Sequence, residues 1–188
     1  METKKYQLRP AQLSEQSDIW VILKDAIGRR KEDGSTQWQD GYPNPQTVAD
    51  DIEKGIGYVL VGGDVIVGYA AILKNDEPAY DAIEGTWLTN GDFLVVHRVA
   101  ISSKEVGKGL AQKLFLEIEE LAKNRRIPSI KVDTNYDNLA MLRILEKLHY
   151  TYCGEVYFRG SSRKAFEKVV SSSAENVWDN EMRTLKKY

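Results

Sequence analysis

The sequence contains very little cysteine and histidine. Among its 188 residues there is one cysteine, Cys153, and there are two histidines, His97 and His149. A single cysteine excludes an internal disulfide and is typical of a protein from a reducing cytoplasm. We interpret Cys153 as a small buried hydrophobic residue. One cysteine and two scattered histidines are too few for a zinc site, and we expect no metal.

Long apolar segments are also missing. No apolar run reaches the roughly 18 residues that a membrane span requires, and residues 1–5 lead directly into polar sequence without an apolar signal segment. We therefore expect a cytoplasmic protein that is not associated with a membrane.

The chain has no excess of basic residues. It carries 26 Lys and Arg against 28 Asp and Glu, which gives a formal net charge of -2. Such a chain offers no basic surface for the release of counterions from phosphates, and this argues against nucleic acid as a general partner.

What is present is the composition and patterning of one globular domain, with 42% apolar and 29% charged residues. Helical periodicity predicts helices at 18–30, 47–54 and 109–124 and a fourth that carries the leucines from 139 to 148. Strands are predicted at 6–9, 58–61, 65–73, 93–101, 129–134, 151–158 and 164–170. Helices that alternate with strands predict an α/β (α+β) fold with a mixed central sheet.

The predicted domain covers residues 1–170 and is followed by a tail at 171–188. In this tail Trp178, Met182 and Leu185 are spaced as on one face of a helix. The tail could pack on its own domain or on a neighbouring subunit, so a homodimer is one expected arrangement.

The most informative segment is a strand, a turn and a helix in direct succession. The strand at 93–101 is followed by the turn Lys104-Glu105-Val106-Gly107-Lys108-Gly109 and then by the amphipathic helix. The two glycines have no Cβ to block a ligand, and the start of a helix exposes unpaired N–H groups at its positive end. This combination predicts an anion site suited to a pyrophosphate.

Two common phosphate motifs fit the turn less well. A Walker A loop requires Ser or Thr after Gly-Lys, whereas Gly107-Lys108 is followed by Gly109. A Rossmann fingerprint requires three small residues and an acidic residue about 20 positions later, and this chain supplies only part of that pattern.

The segment resembles motif A of the GNAT family of N-acetyltransferases, which reads Gln/Arg-x-x-Gly-x-Gly/Ala between a strand and a long helix. Lys104 to Gly109 follow this pattern, with lysine at the first position. Asp133-Thr134-Asn135-Tyr136-Asp137-Asn138 followed by Met141 resembles the family's motif B, and the resemblance extends over roughly residues 6–170.

The resemblance implies a sheet whose two central strands splay apart to hold acetyl-CoA as co-substrate. The pantetheine arm would pair with the backbone at Val99 and Ile101 and contact Asn138, which could equally be a plain helix N-cap. The pyrophosphate would meet the turn and the helix start. The residues expected there are Lys104, Val106, Gly107, Lys108, Gly109, Leu110 and Ala111.

Acetyl transfer to an amine requires that a proton be removed. At physiological pH only about one in a thousand molecules of an amine with a pKa near 10.4 is neutral. Deprotonation of the amine therefore costs roughly 4 kcal/mol. A general base contributes about 10² to 10⁴ in rate. Strand alternation places Val95, His97, Val99 and Ile101 on one face, and the resemblance to arylalkylamine N-acetyltransferases also indicates His97. We take His97 as the first candidate base, although a core histidine is equally compatible with the pattern, and Glu84 as the second.

The general acid is less clear from the sequence. The family often uses a tyrosine seven residues after the motif B asparagine to protonate the thiolate, and here that position is Leu145. Tyr136 could take this role, water could take it, or the thiolate could leave unassisted. The missing tyrosine also leaves open a non-catalytic module that binds acyl-CoA.

Two loop regions predict the acceptor site. Trp38, Tyr42 and Trp87 lie in segments that also carry Asp40, Glu77 and further acidic residues. An aromatic and acidic rim would favour a cationic amine through its field and through cation-π contacts. The alternative is that these aromatics only fix the loops on the core.

Overall fold

The computed structural model describes residues 5–158 and 160–170, and within them one eight-stranded sheet runs in the order β1-β2-β3-β5-β6-β8-β7-β4. The strands are β1 (Tyr6–Pro10), β2 (Gly57–Gly62), β3 (Val65–Lys74), β4 (Glu84–Gly85), β5 (Phe93–Ile101), β6 (Ser129–Thr134), β7 (Thr151–Phe158) and β8 (Ser161–Val169). β5 and β6 pair in parallel, and the other neighbouring strands pair antiparallel. The predicted mixed sheet is therefore present.

Four helices accompany the sheet in the described part of the chain. They are α1 (Gln16–Glu32), α2 (Pro45–Glu53), α3 (Leu110–Asn124) and α4 (Leu139–Lys147), and short 3₁₀ turns cover Leu13–Glu15, Pro78–Ala82 and Ser103–Glu105. None of the helices in these ranges has the length and apolar character needed to cross a membrane.

The predicted boundaries hold best where periodicity is strong. β5, β6 and β7 have the predicted bounds, and α3 begins at Leu110, one residue later than predicted. α2 begins two residues before the predicted start because Asn44 accepts a hydrogen bond from the Thr47 amide and proline occupies the first helical turn. β8 begins at Ser161 rather than at residue 164, and the two-residue strand β4 was not predicted.

The core lies on both faces of the sheet. On one face α3 packs Leu114, Phe115 and Ile118 against β5 and β6, and on the other face α1 packs Ile19 and Leu23 against the sheet. All five side chains are fully buried. Burial of one such side chain contributes about 1.5–3 kcal/mol to the free energy of unfolding. The contacts of α1 and α3 therefore stabilise the sheet from both faces.

The two central strands separate along their length. β5 and β6 pair only at Phe93 with Ser129, Leu94 with Ile130 and Val95 with Lys131. Beyond these pairs the two strands diverge, which confirms the expected splay and opens a cleft at the centre of the sheet.

Candidate active site

The cleft between the diverging strands contains a cavity of about 470 Å³. Its walls come from β5, β6, the N-terminal end of α4, the loop before α2 and the β7–β8 hairpin. The lining residues are Thr36, Gln37, Trp38, Asp40, Tyr42, Glu77, Val96, His97, Arg98, Val99, Val132, Asp133, Thr134, Asn135, Asn138, Met141, Phe158, Ser161 and Arg163. A volume of this size is typical of small-molecule sites.

A β-bulge at Arg98 shapes one wall of the cavity. Arg98 has a φ of 54°, and the pairing of β5 with β3 moves from His97 opposite Ala71 to Ala100 opposite Tyr69. One extra residue in β5 therefore interrupts the ladder and re-aims the side chains that follow it.

The bulge corrects the prediction that His97 and Ile101 share one face. Val95 packs with Tyr80 in one core cluster, whereas Ile101 packs with the α3 residues in another. Alternation fails because the extra residue shifts the phase of the strand by one position. His97 therefore lies on the face opposite to Ile101.

Buried polar contacts hold the Arg98 side chain. Its Nε donates to Asp51 Oδ2 at 2.8 Å and its Nη2 donates to Asp51 Oδ1 at 2.7 Å. Tyr69 also donates to Asp51, at 2.7 Å, and Arg98 Nη1 donates to the Tyr42 hydroxyl. Burial and the charge of Asp51 raise the pKa of Tyr69. This network ties the bulge to α2 and to the loop that bears Tyr42.

His97 lines the cavity and lies between two carboxylates. Its Nε2 is 2.8 Å from Glu77 Oε2, and its Nδ1 is 3.7 Å from Asp133 Oδ1, which is too long for a hydrogen bond. Burial tends to raise the pKa of Glu77, but the hydrogen bond and the charge of His97 outweigh it and the pKa lies below its usual value. Glu77 is therefore a carboxylate at neutral pH.

Asp133 is held in place by two further side chains. Tyr80 donates to Asp133 Oδ1 at 2.8 Å, and Arg163 Nη1 donates to Oδ2 at 3.1 Å. The Asp133 side chain is only 1% exposed. Complete burial and then the charge of Asp133 raise the pKa of Tyr80 well above its usual value, so Tyr80 stays a neutral hydrogen-bond donor.

The turn before α3 contains two glycines with a positive φ. Gly107 and Gly109 have φ of 83° and 75°, in the left-handed region that favours glycine. Gly109 is the N-cap of α3 and has no side chain to accept hydrogen bonds from the first helical N–H groups. Lys104 and Val106 are exposed beside the turn, and Lys108 forms an ion pair with Glu105 at 3.0 Å. This geometry can hold a diphosphate.

Asn138 begins α4 at the other side of the cleft. Its Oδ1 accepts from the Met141 amide at 3.2 Å, so it is an N-cap. Its side chain also lies 3.5 Å from Arg30 Nη1 and 3.4 Å from Gln37 Oε1. Asn138 therefore connects α1, the following loop and α4 where they line the cavity.

Two unpartnered polar atoms also line the cleft. Thr134 Oγ1 and Asn135 Oδ1 are buried, and neither has a hydrogen-bond partner among the described residues. Because an unpaired buried acceptor costs about 1–3 kcal/mol, these atoms are suited to a ligand with amide N–H groups such as pantetheine.

Comparison with known proteins identifies the family. The sequence profile of the acetyltransferase (GNAT) family matches residues 20–150. The chain belongs to the GNAT acetyltransferase family. The protein is therefore an acyltransferase.

Solved GNAT structures share this fold. An acetyltransferase of the GNAT family from Streptococcus agalactiae is 37% identical, covers 89% of this chain and 96% of its own, and has a TM-score of 0.82. One from Listeria monocytogenes is 20% identical over 89% and 98% of the two chains, with a TM-score of 0.68. The yncA protein from Salmonella typhimurium, solved with its cofactor acetyl-CoA, is 15% identical over 90% and 96%, with a TM-score of 0.63. No curated protein matches the chain.

The GNAT cleft gathers some of the predicted site residues and not others. His97, Val99, Asn138, Trp38 and Tyr42 line the cavity. The turn residues Lys104 to Ala111 lie beyond the C-terminal end of β5, outside the cavity lining. Ile101 also lies outside the cavity lining, and its carbonyl accepts from Arg29 at 2.9 Å.

Three further predicted residues lie outside the cavity lining. The Glu84 carboxylate accepts from the Tyr157 hydroxyl at 2.9 Å, and the Tyr136 hydroxyl donates to Glu155. Trp87 packs on Tyr80, with ring centroids 5.0 Å apart, and donates from Nε1 to the Tyr80 carbonyl. Each has a local structural role in the GNAT fold.

The sequence interpretation missed the acidic partners of His97. Glu77 was included only among the acidic rim residues, and Asp133 only as part of motif B. Arg163 was not considered at all. The available signal was the position of Asp133 near the end of β6, where the strands of an open sheet present ligand-binding side chains. Among the described residues no group of three or more His, Cys, Asp or Glu is placed to hold a metal ion.

Proposed function

We propose that this GNAT enzyme transfers the acetyl group of acetyl-CoA to a primary amine by direct attack in a ternary complex. The observation that carries the proposal is the cleft between β5 and β6, which His97 lines, together with the glycine turn before α3 beyond the end of β5. The complex of yncA with acetyl-CoA supports the choice of co-substrate.

The residues of the cleft fit acetyl-CoA. The amides from Val106 to Ala111 would hold the pyrophosphate, with Lys104 and Lys108 as nearby point charges. Val99, Asn138 and the unpartnered atoms of Thr134 and Asn135 would contact the pantetheine arm. When bound, acetyl-CoA supplies an activated thioester carbonyl, and the bulge at Arg98 presents backbone groups that can polarise it.

We assign the general base to His97. With Nε2–H donated to the Glu77 carboxylate, Nδ1 remains free of a hydrogen bond to Asp133 and can accept the proton of the amine. Glu77 orients the ring and stabilises the imidazolium that forms. Glu84, the second candidate, has no comparable position in the cavity lining.

Water is the proposed proton donor for the departing thiolate. The usual tyrosine position is Leu145, which is fully buried in the core. Tyr136 is 43% exposed and donates to Glu155 outside the cavity lining. Of the two remaining routes, proton donation by water and unassisted departure of the thiolate, we propose the first.

The experiment is a steady-state assay with acetyl-CoA and a panel of primary amines, in which free thiol is measured. We expect acetylation of at least one amine, and we expect His97→Asn to lower kcat by about 10² to 10⁴ with the KM for acetyl-CoA preserved. His149→Asn is the matched control, because His149 is exposed at the end of α4 with a positive φ that asparagine tolerates. A fully active His97→Asn variant would remove His97 as the base, and thiol release with no amine above background would refute the function.

A further inference from the structure

Arg163 on β8 presents its guanidinium at the wall of the cavity. The group stacks on Phe158, with its central carbon 4.5 Å from the ring centroid, and both residues line the cavity. Its Nη1 donates to the buried Asp133 at 3.1 Å. The ring contact and the hydrogen bond together hold the guanidinium in place.

The edge of Arg163 formed by Nε and Nη2 has no hydrogen-bond partner among the described residues. Its Nε is buried without a hydrogen-bond partner, and Asp133 accepts the only side-chain hydrogen bond that Arg163 donates among the described residues. Nε and Nη2 form the edge of a guanidinium that pairs with both oxygens of a carboxylate. An exposed lysine in this place would offer a point charge, whereas this arginine offers an oriented fork.

Arg163 and His97, the base of the proposed mechanism, lie on either side of one carboxylate. Asp133 connects the two groups, because Oδ1 is 3.7 Å from His97 Nδ1 and Oδ2 is 3.1 Å from Arg163 Nη1. The charge of Arg163 also helps to lower the pKa of Glu77 in the same cluster. His97 and the guanidinium are therefore separated by the width of one carboxyl group and its contacts.

The charges of the cluster suit an acceptor substrate that carries both a positive and a negative group. Glu77 and Asp133 favour an ammonium group beside His97, and the Arg163 fork favours a carboxylate a few ångströms away. An α-amino acid carries these two groups one carbon apart. A peptide N-terminus lacks the nearby carboxylate, and a simple alkylamine would leave the buried Nε unpaired.

We propose that the acceptor is a small amine that carries a carboxylate next to its amino group, and that Arg163 binds this carboxylate. The inference rests on the proposed function, since it names the substrate class of the same site. Arg163 then determines specificity and is not the base.

The test compares amino acids with the amines formed by removing their carboxylate. The pairs are L-phenylalanine with phenethylamine, L-leucine with 3-methylbutylamine and L-lysine with cadaverine, assayed with acetyl-CoA for kcat/KM. We expect the amino acid to exceed its amine by about 10- to 100-fold in at least one pair, the penalty for an unsatisfied buried donor. This comparison uses the wild-type enzyme and does not depend on the folding of a variant.

A variant then tests whether the guanidinium edge of Arg163 causes the preference for the amino acid over its amine. Arg163→Lys keeps the charge and removes the bidentate edge, so the ratio within the pair should fall toward one because the kcat/KM for the amino acid falls more than that for the amine. Arg143→Lys, at an exposed position of α4, is the control and should keep the ratio. Equal kcat/KM within every pair, a preference for the amines, or an equal loss for both members in Arg163→Lys would overturn the inference. Absence of transfer to either member of all pairs would instead refute the proposed function and this inference with it.

Discussion

Cys153 lies in β7 with 8% of its surface exposed. Burial, and secondarily the charge of Glu167, raises the pKa of its thiol. Because the thiolate is the reactive form, we expect the native protein to react with a disulfide reagent at pH 8 at least about ten times more slowly than the unfolded protein. The measurement is the rate of thiol labelling with and without denaturant.

This expectation also bears on the functional assay, in which released CoA is detected by the same reagent. A native chain that reacted as fast as free cysteine would contradict the burial of Cys153. It would also require a correction for protein thiol before any turnover was assigned.

Glu77 shows at the scale of one residue what a sequence can and cannot predict. The sequence places Glu77 and Glu84 in the same irregular stretch, and nothing local ranks one above the other. The 3₁₀ turn Pro78–Ala82, which Glu77 caps by accepting from the Ala79 amide at 3.3 Å, brings its other oxygen to His97. His97 lies 20 positions away in the chain, so only the folded sheet reveals the pair.

The elements themselves were predicted well where burial is periodic. α3 has a broad apolar face and β5 a continuous apolar run, and both have nearly the predicted bounds. The bulge at Arg98 was not predictable, because it arises from pairing with β3 and leaves no local pattern in β5. One unpredicted residue in the ladder was sufficient to move His97 to the opposite face.

Asp51 provides a test at the scale of this strand. It is 4% exposed and accepts both hydrogen bonds of the Arg98 fork as well as the Tyr69 hydroxyl. Asp51→Asn leaves a buried guanidinium without a counter-charge, and we expect a loss of about 3–5 kcal/mol in the free energy of unfolding. Tyr69→Phe removes a single hydrogen bond and should cost only about 1–3 kcal/mol.

Denaturant unfolding of both variants measures these free energies. Equal and small losses would show that the Arg98 ion pair does not hold the bulge. Any acetyltransfer that remains in Asp51→Asn should show a lower kcat rather than a higher KM for acetyl-CoA, because the misplaced groups are those proposed to polarise the thioester carbonyl.

The whole molecule consists of two half-sheets joined at a narrow seam. The half formed by β1, β2, β3 and β5 meets the half formed by β6, β8, β7 and β4 through three residue pairs of β5 and β6. The described residues end at 170, so the predicted helix and subunit contact of the tail at 171–188 lie outside them. The domain bounds 1–170 likewise remain a prediction.

A ligand that occupies the cleft should stabilise this seam. If CoA binds across β5, the α3 turn and α4, a concentration 100 times its dissociation constant contributes about 2.7 kcal/mol. For a chain of this size that corresponds to a rise in Tm of roughly 5–10 °C. Pantetheine, which lacks the diphosphate, should raise Tm much less at the same concentration.

The variant Gly109→Ala tests the contribution of the turn to CoA binding separately from that of the rest of the cleft. An added Cβ at Gly109 would meet no atom within 4 Å, but the φ of 75° is unfavourable for alanine by about 1–2 kcal/mol. The turn should therefore relax away from the geometry that aims its amides at a diphosphate, and the Tm shift with CoA should fall toward the value for pantetheine. Gly91→Ala, where an added Cβ also meets nothing and φ is not positive, should keep the full shift. If CoA and pantetheine shift the wild-type Tm equally, the diphosphate is not held by the turn, and the binding mode that joins the two half-sheets is wrong.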